Sequence, residues 1–152
     1  MTTDKLIQEL NLLLSDFHIY YQNTRGFHWN IKGKRFFELH VKFEELYTEA
    51  LTSIDEIAER ILTIGGSPLH TFSDYLEASD LTVYKDVSND VDTVSAIHSQ
   101  LGKLTERENR VKKLAAECDD NETEDMMIAL INGQQKTMWM FKSWLGEEVQ
   151  PN

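Results

Sequence analysis

The sequence predicts a single all-α domain built as a four-helix bundle. Apolar residues recur with the three-and-four spacing of a helix along four long segments. The 152-residue chain contains only seven glycines and two prolines, which are few for a β-sandwich with its many turns. Because 41% of the residues are hydrophobic, the chain can bury a core, and we expect one domain over residues 1–152.

The first two helices are predicted over residues 4–30 and 35–64. The second has the clearest apolar pattern in the chain, and the glycine pair that begins at Gly65 ends it. Only a short loop around Gly33 separates the two patterns, so we expect these helices to pack antiparallel.

Two more helices are predicted over residues 90–118 and 122–147. Asn121 and Glu124 have the spacing of a capping box, in which two side chains satisfy the free amide groups at a helix start. The methionines and tryptophans of the last helix, such as Met138, are interpreted as core and subunit contacts rather than a cofactor site.

A long connection, from Ser67 to Asn89, separates the second helix from the third. Bundle connections are normally shorter, so we predict a short extra helix over residues 71–79. The segment from Leu81 to Val87 is expected to be extended chain, because a lone strand has nothing to pair with. A single long crossover between two antiparallel helix pairs is the plan of ferritin-like bundles.

The charge balance argues against general nucleic-acid binding. With 26 acidic and 15 basic residues, the formal net charge is −11, and such a surface repels polyphosphate. The single cysteine, Cys118, excludes an intrachain disulfide and suits a reducing compartment. Neither an export signal nor a membrane-spanning apolar run is recognisable, so we expect a soluble cytoplasmic protein.

The second helix places an imidazole and three carboxylates within one quadrant of its surface: His40, Glu44, Asp55 and Glu59. This quadrant overlaps the apolar stripe, and carboxylates near a core need partners such as metal ions. Residues 40 and 55 lie about 22 Å apart along a straight helix, which is too far for ligands of one ion or ion pair. The four residues therefore predict two half-sites. The upstream half consists of His40 and Glu44, and the downstream half consists of Asp55 and Glu59.

Two copies of the chain, paired antiparallel about a two-fold axis through this helix, bring each upstream half to the partner's downstream half. His28 continues the stripe of the first helix and lies close enough to the next helix to reach His40. Two imidazoles with carboxylates suit iron or another first-row metal better than calcium, magnesium or structural zinc. An intrachain di-iron centre needs Glu-x-x-His motifs, and the sequence contains none.

The half-site residues belong to a longer pattern of motifs. It consists of His28-Trp29-Asn30, His40, Glu44, Asp55-Glu56-Ile57-Ala58-Glu59-Arg60 and Gly65-Gly66. Together with the length and helix plan, this pattern closely resembles the Dps-type mini-ferritins over essentially the whole chain. The resemblance implies a hollow dodecamer that oxidises Fe(II), preferably with hydrogen peroxide, protects against oxidative stress and stores the ferric mineral inside.

Carried over by position, the resemblance implies an iron site between two subunits, with His28, His40 and Glu44 from one subunit and Asp55 and Glu59 from the other. Many relatives have aspartate where this chain has Glu44. The resemblance also implies that Trp29 is an oxidisable residue near the iron, that Glu45 helps to nucleate mineral, and that acidic residues near Asp120 and Asp125 line an entry pore.

Two alternatives compete with this interpretation. Many relatives compact DNA, but those that do so often use lysine-rich terminal arms, which this sequence does not show, and its net charge opposes phosphate contact. The second alternative is a helical assembly with a purely structural metal such as zinc, which binds metal without oxidising iron. His18, His70 and His98 have no carboxylate at a suggestive spacing and are interpreted as ordinary histidines.

Overall fold

The computed structural model describes residues 2–147 and consists of five helices. They are α1 (Thr2–Asn30), α2 (Phe36–Thr63), α3 (Phe72–Ala78), α4 (Asp90–Glu117) and α5 (Asn121–Trp144). These residues contain no strand, which confirms the all-α class. No helix among them is long and apolar enough to cross a membrane.

Helix α1 is the centre of the packing. It contacts α2, α4 and α3, whereas α5 packs mainly on α4. The core between these helices is mainly apolar, with completely buried side chains such as Leu10, Phe43, Ile57, Leu104 and Met127. The four long helices therefore form a bundle, and α3 lies in the crossover between α2 and α4.

The crossover is held along α1 by a series of polar side chains on that helix. Each makes two hydrogen bonds to the crossover: Asn11 to Ser67 and Leu69, Asp16 to Ser79 and Asp80, and Asn23 to Thr82 and Tyr84. At the far end, the amide of Lys32 donates to the carbonyl of Ser88 at 2.8 Å. The crossover thus runs parallel to α1 from one end of that helix to the other. Because α4 begins at the far end, it runs back antiparallel to α1.

A buried ion cluster around Arg107 joins α1, α4 and the crossover. The guanidinium, whose side chain is only 4% exposed, donates to Asp16 and Glu9 at 3.0 Å each and also to Asp80. Burial alone would lower the pKa of Arg107, but the Asp16 and Glu9 carboxylates outweigh burial and raise it. A charge that is paired and hydrogen-bonded in this way is tolerated inside a bundle.

The ends of α5 differ from those predicted. Its N-cap is Asp120, whose carboxylate accepts from the amide of Thr123 at 3.0 Å, so the predicted capping box at Asn121 is wrong by one residue. The helix ends at Trp144 rather than at 147, because Gly146 adopts a φ of 78° that closes the last turn. The predicted bounds of the other four helices differ from the observed ones by two residues or fewer.

The core also contains a carboxyl group, that of Glu108, with which no positively charged side chain among the described residues forms an ion pair. Glu108 on α4 is completely buried and accepts one hydrogen bond from the amide of Gln134 on α5, while its second oxygen has no partner. Burial raises the pKa of Glu108 to about 8, and the Gln134 bond only partly opposes this effect. The side chain is therefore mostly protonated at neutral pH.

Replacing Glu108 with Gln should reduce the pH dependence of stability. Between pH 4.5 and about 8, the folded chain keeps a proton that the unfolded chain releases, so the free energy of unfolding falls as the pH rises through this range. The Glu108→Gln chain has no such proton. Its melting temperature, measured by circular dichroism from pH 5 to 9, should fall less than that of the wild type. An equal fall in both proteins would contradict a buried neutral Glu108.

Candidate metal centre

The end of α1 and the start of α2 bring two histidines into contact. The rings of His28 and His40 are stacked, with centroids 3.8 Å apart and planes 12° from parallel. Phe36 stacks on His40 with ring centroids 4.9 Å apart. His28 is buried and His40 is half-buried, so packing limits the freedom of both rings before any ligand arrives.

Each histidine is also held by the backbone of the other. The Nδ1 atom of His28 lies 2.6 Å from the carbonyl oxygen of His40, and Nδ1 of His40 lies 2.8 Å from the carbonyl oxygen of His28. A carbonyl oxygen only accepts, so Nδ1 is the donor in both bonds. In the neutral rings, Nε2 then carries the lone pair that a metal ion needs. Bonds of this kind fix the tautomer and orientation of metal-binding histidines.

The carboxylates expected at the site all lie on α2 and are exposed. Glu44 is one turn beyond His40, whereas Asp55 and Glu59 lie about 22 Å and more from His40 along the helix axis. Among residues 2–147, no group of three or more histidine, cysteine or acidic side chains is close enough to hold one metal ion. One subunit thus presents the His28–His40 pair where α1 ends and α2 begins, and the acidic pair further along α2.

The face of α2 that carries these groups is not covered by the rest of the bundle. Four large apolar side chains on it are exposed by half or more: Phe37 (82%), Val41 (52%), Leu51 (52%) and Leu62 (58%). At about 100° per residue, they fall in the same arc of about 100° as His40, Glu44, Asp55 and Glu59. We call this arc the α2 face. An apolar face of this length is typical of a protein–protein contact.

A surface cavity of about 440 Å³ adjoins the α2 face at Asp55. Its walls are mostly apolar, and two histidines that the sequence analysis treated as ordinary, His18 and His70, also line it. The ring of His18 stacks on Tyr75 with centroids 3.8 Å apart, and burial lowers its pKa. The nearby apolar residues Phe72 and Leu76 of α3 are exposed, so the apolar surface extends from α2 onto the crossover.

Two tyrosines that the sequence analysis did not single out form a series of ring contacts that starts at His28. Tyr47 meets the His28 ring edge-on at 5.3 Å, and Tyr21 meets Tyr47 edge-on at 5.8 Å. Both tyrosines stand seven residues from a histidine of the pair, which is two helical turns and therefore the same helix face. This seven-residue spacing is the feature of the sequence that could have indicated that the tyrosines lie near the histidine pair.

Trp29 is linked to these tyrosines through Arg25. The guanidinium carbon of Arg25 lies 4.8 Å from the ring centroid of Tyr21 and 5.0 Å from that of Trp29, and Nη1 donates to the Tyr21 hydroxyl at 3.0 Å. Trp29 itself is 60% exposed and points away from the core.

The acidic segment at the start of α5 divides into paired and exposed members. Asp120 accepts a hydrogen bond from Arg60 at 2.8 Å, and the Arg60 Nε donates to Thr123 at 2.8 Å. Burial opposes ionisation of Asp120, but bonds from Thr123 and Arg60 lower its pKa. Asp120 therefore ties α5 to the end of α2, while Asp125 is exposed.

Comparison with known proteins places this arrangement in a family. A family model described as a ferritin-like domain matches residues 7–149. The DNA protection during starvation protein 2 of Bacillus anthracis is 37% identical, over 94% of this chain and 98% of that protein. The corresponding protein of Porphyromonas gingivalis is also 37% identical, over 91% of this chain and 87% of that protein.

Comparison with solved structures indicates the same family. The Dps protein of Vibrio cholerae, described as a member of a broad superfamily of ferritin-like diiron-carboxylate proteins, has a TM-score of 0.93 and 41% identity, covering 95% of this chain and 91% of that chain. Dps from Staphylococcus aureus has a TM-score of 0.90 and 34% identity over 97% of both chains. The chain therefore belongs to the Dps family of ferritin-like proteins.

Proposed function

We propose that this chain is a ferroxidase and iron-storage subunit that acts in the cytoplasm as a hollow dodecamer. Fe(II) is its substrate, hydrogen peroxide is the preferred oxidant, and the ferric product is kept as mineral inside the cage, which protects the cell against oxidative stress. The observation that carries the proposal is the α2 face, with a preorganised histidine pair near one end and two carboxylates near the other.

The spacing along α2 supports a symmetric pairing of two such faces. In an antiparallel pair, placing His40 opposite Glu59 of the partner subunit also places Glu44 opposite the partner's Asp55. The same register places Phe37 opposite the partner's Leu62, because all three pairs share one midpoint on α2. Polar residues then meet polar residues, and the two exposed apolar side chains beyond them meet each other.

The donor set of the paired sites suits Fe(II). Nε2 of His28, Nε2 of His40 and the Glu44 carboxylate from one subunit, with Asp55 and Glu59 of the partner subunit, form a mixed nitrogen and oxygen site for one or two ions. The carboxylates offset the charge of the ions, and the backbone bonds of the histidines hold the ligands in place as the iron is oxidised. Two Fe(II) ions supply the two electrons that reduce one peroxide to water without releasing hydroxyl radical.

Acidic surface residues support the supply of Fe(II) and the storage of the product. The exposed Asp125 and the net charge of −11 attract cations towards the cage. Glu45 is exposed beside Lys42, with which it pairs at 3.3 Å, and it remains accessible as a place for ferric ions to nucleate. Asp120 contributes less to an entry pore than expected, because Arg60 already pairs with it.

Removing the acidic half-site should abolish rapid iron oxidation. In the double variant Asp55→Asn and Glu59→Gln, we expect the initial rate of Fe(II) oxidation by peroxide to fall at least about 100-fold, because losing two direct ligands should cost no less than losing outer partners of a metal site. The rate is followed by stopped-flow absorbance of the ferric product, and gel filtration checks that the cage is intact.

The matched control is Glu56→Gln. Glu56 is an exposed acid next to Asp55 but lies outside the arc of the α2 face, so the control protein should oxidise iron at the wild-type rate. Wild-type kinetics in an intact double variant would refute the interfacial site. Metal binding by the wild type without oxidation would instead favour the structural-metal alternative.

The pairing register itself is testable by cross-linking. With Cys118 changed to Ser, the double variant Phe37→Cys and Leu62→Cys should form a covalent dimer with a short bis-maleimide, because each new cysteine faces the other type on the partner subunit. Within one subunit the two positions are roughly 37 Å apart along α2, so an intrachain link does not compete. The product is read on a denaturing gel.

The controls are the two single variants, Phe37→Cys and Leu62→Cys, in the same background. In the proposed register the two copies of either position lie roughly 37 Å apart along the helix axes, so we expect little cross-linked dimer from each single variant. As much dimer from a single variant as from the double variant would exclude the proposed register.

Binding to DNA should be weak, despite the names of the relatives. Because the net charge is −11, the protein can form few contacts with DNA phosphates. Binding would therefore release few counterions and gain little free energy. We expect no retardation of linear duplex DNA by the assembled protein on a gel at physiological salt. Tight retardation that weakens steeply as salt is added would show that the surface holds a basic patch sufficient to overcome the charge.

A further inference from the structure

We infer that the groove between α2 and α5 binds an unbranched fatty carboxylate, one per subunit. The alkyl chain lies on the groove floor, and the carboxylate lies beside Lys42 and Lys136. The groove is a cavity of about 410 Å³ that shares no residue with the metal centre. The iron chemistry proposed above gives it no role, so this site is independent of that function.

The groove exists because α2 and α5 make few contacts with each other. Helix α2 packs on α1 and α5 packs on α4, so the open space lies between the two helix pairs. The groove extends from Lys42 to Ser53 on α2 and from Ala129 to Met140 on α5. Each wall is therefore about 16 Å long, which suits an extended chain. Since the two helices run antiparallel, Lys42 and Met140 lie at the same end.

The floor of the groove is apolar and carries no charge. It consists of side chains from all four long helices: Phe17, Tyr20, Leu46, Ala50, Leu101 and Leu130. Burial raises the pKa of Tyr20, so its hydroxyl stays neutral, and the amide of Gln134 at the groove is already bonded to Glu108. A mostly apolar cavity of this size with few polar groups is typical of small-molecule sites.

The charged groups at the rim are unevenly distributed along the groove. Lys42 and Lys136 lie in one half, whereas Glu49 lies past the midpoint. Lys42 is paired with Glu45 at 3.3 Å, but Lys136 is exposed and forms no ion pair with an acidic residue in the described part of the chain. The lysine half therefore attracts an anionic head group and leaves the remaining floor for an apolar chain.

The groove opens on the side of α2 opposite the α2 face. At about 100° per residue, its α2 residues span an arc of about 100° whose centre is about 180° from that of the α2 face. Pairing of two α2 faces thus leaves the groove open, so a ligand and a second subunit do not compete for it. Because a bound chain touches both walls, it also joins two helices that make few contacts of their own.

Filling the groove with a side chain should prevent binding. A Cβ atom at Gly133 meets no atom within 4 Å, so a larger residue there enters open space, and replacing a glycine inside a helix favours folding. Binding is measured by equilibrium dialysis of the assembled protein with radiolabelled decanoate, which gives the ligand time to reach every face of the cage. We expect saturable binding of one decanoate per subunit in the wild type. Binding to Gly133→Leu should be at least about tenfold weaker, because the ligand and the new side chain overlap.

Gln135→Leu is the matched control, because Gln135 is exposed on the same helix but does not line the groove. It should bind decanoate as the wild type does. Absence of saturable binding in the wild type, or undiminished binding in Gly133→Leu, would show that the inference is wrong.

A second variant tests the position of the carboxylate. Lys136→Gln should weaken decanoate binding about threefold, as expected for an exposed ion pair, and leave the binding of uncharged decan-1-ol unchanged. Equal effects on the two ligands would contradict the head-group position. This comparison also decides the matter if gel filtration shows that Gly133→Leu does not assemble. Iron oxidation is measured separately, and its absence in the wild type would refute the proposed function but not this site.

Discussion

The straightness of α2 is the constraint on which the rest of the arrangement depends. An uninterrupted helix from Phe36 to Thr63 keeps His40 and Asp55 about 22 Å apart, so no side-chain motion within one subunit brings them to a common ion. In classical ferritin-like bundles, facing helices of a single chain share a di-iron centre. Here His40 and the carboxylates Asp55 and Glu59 stand on one side of one helix, so the proposed site of the same chemistry requires a second copy.

The path of the crossover makes this use of α2 possible. Asn11, Asp16 and Asn23 hold the crossover along α1, and Arg107 closes the cluster from α4. Because that segment follows α1, it does not lie across the α2 face, which stays open together with its apolar residues. The buried polar groups of the bundle therefore do more than stabilise one chain, since they also decide which surface remains available for assembly.

Much of this was accessible from the sequence, because helix periodicity places residues on faces. The number of long helices, the crossover and the grouping of His40, Glu44, Asp55 and Glu59 all follow from spacing alone. The hydrogen bonds between each histidine ring and the backbone carbonyl of the other histidine could not be predicted from spacing. They depend on the angle at which the α1–α2 loop brings the two helix ends together.

Contacts between distant segments account for the other differences. Asp120 rather than Asn121 caps α5, and the partner that favours it, Arg60, lies 60 residues earlier in the chain. Glu108 has the sequence context of a surface charge, and only the packing of α5 against α4 shows that it is buried beside Gln134. Local patterns contain no information about such pairs.

The division of the ligands between the two parts of α2 has a consequence for genetics. In the proposed assembly, each two-fold pair contains two sites, and each site takes its histidines and Glu44 from one polypeptide and Asp55 and Glu59 from the other. A mixed pair of a histidine-deficient and an acid-deficient polypeptide combines both lesions in one site and leaves its other site with a complete ligand set. In the proposed assembly, two inactive alleles of this gene would therefore complement each other in a single cell, because their mixed pair regains one complete site.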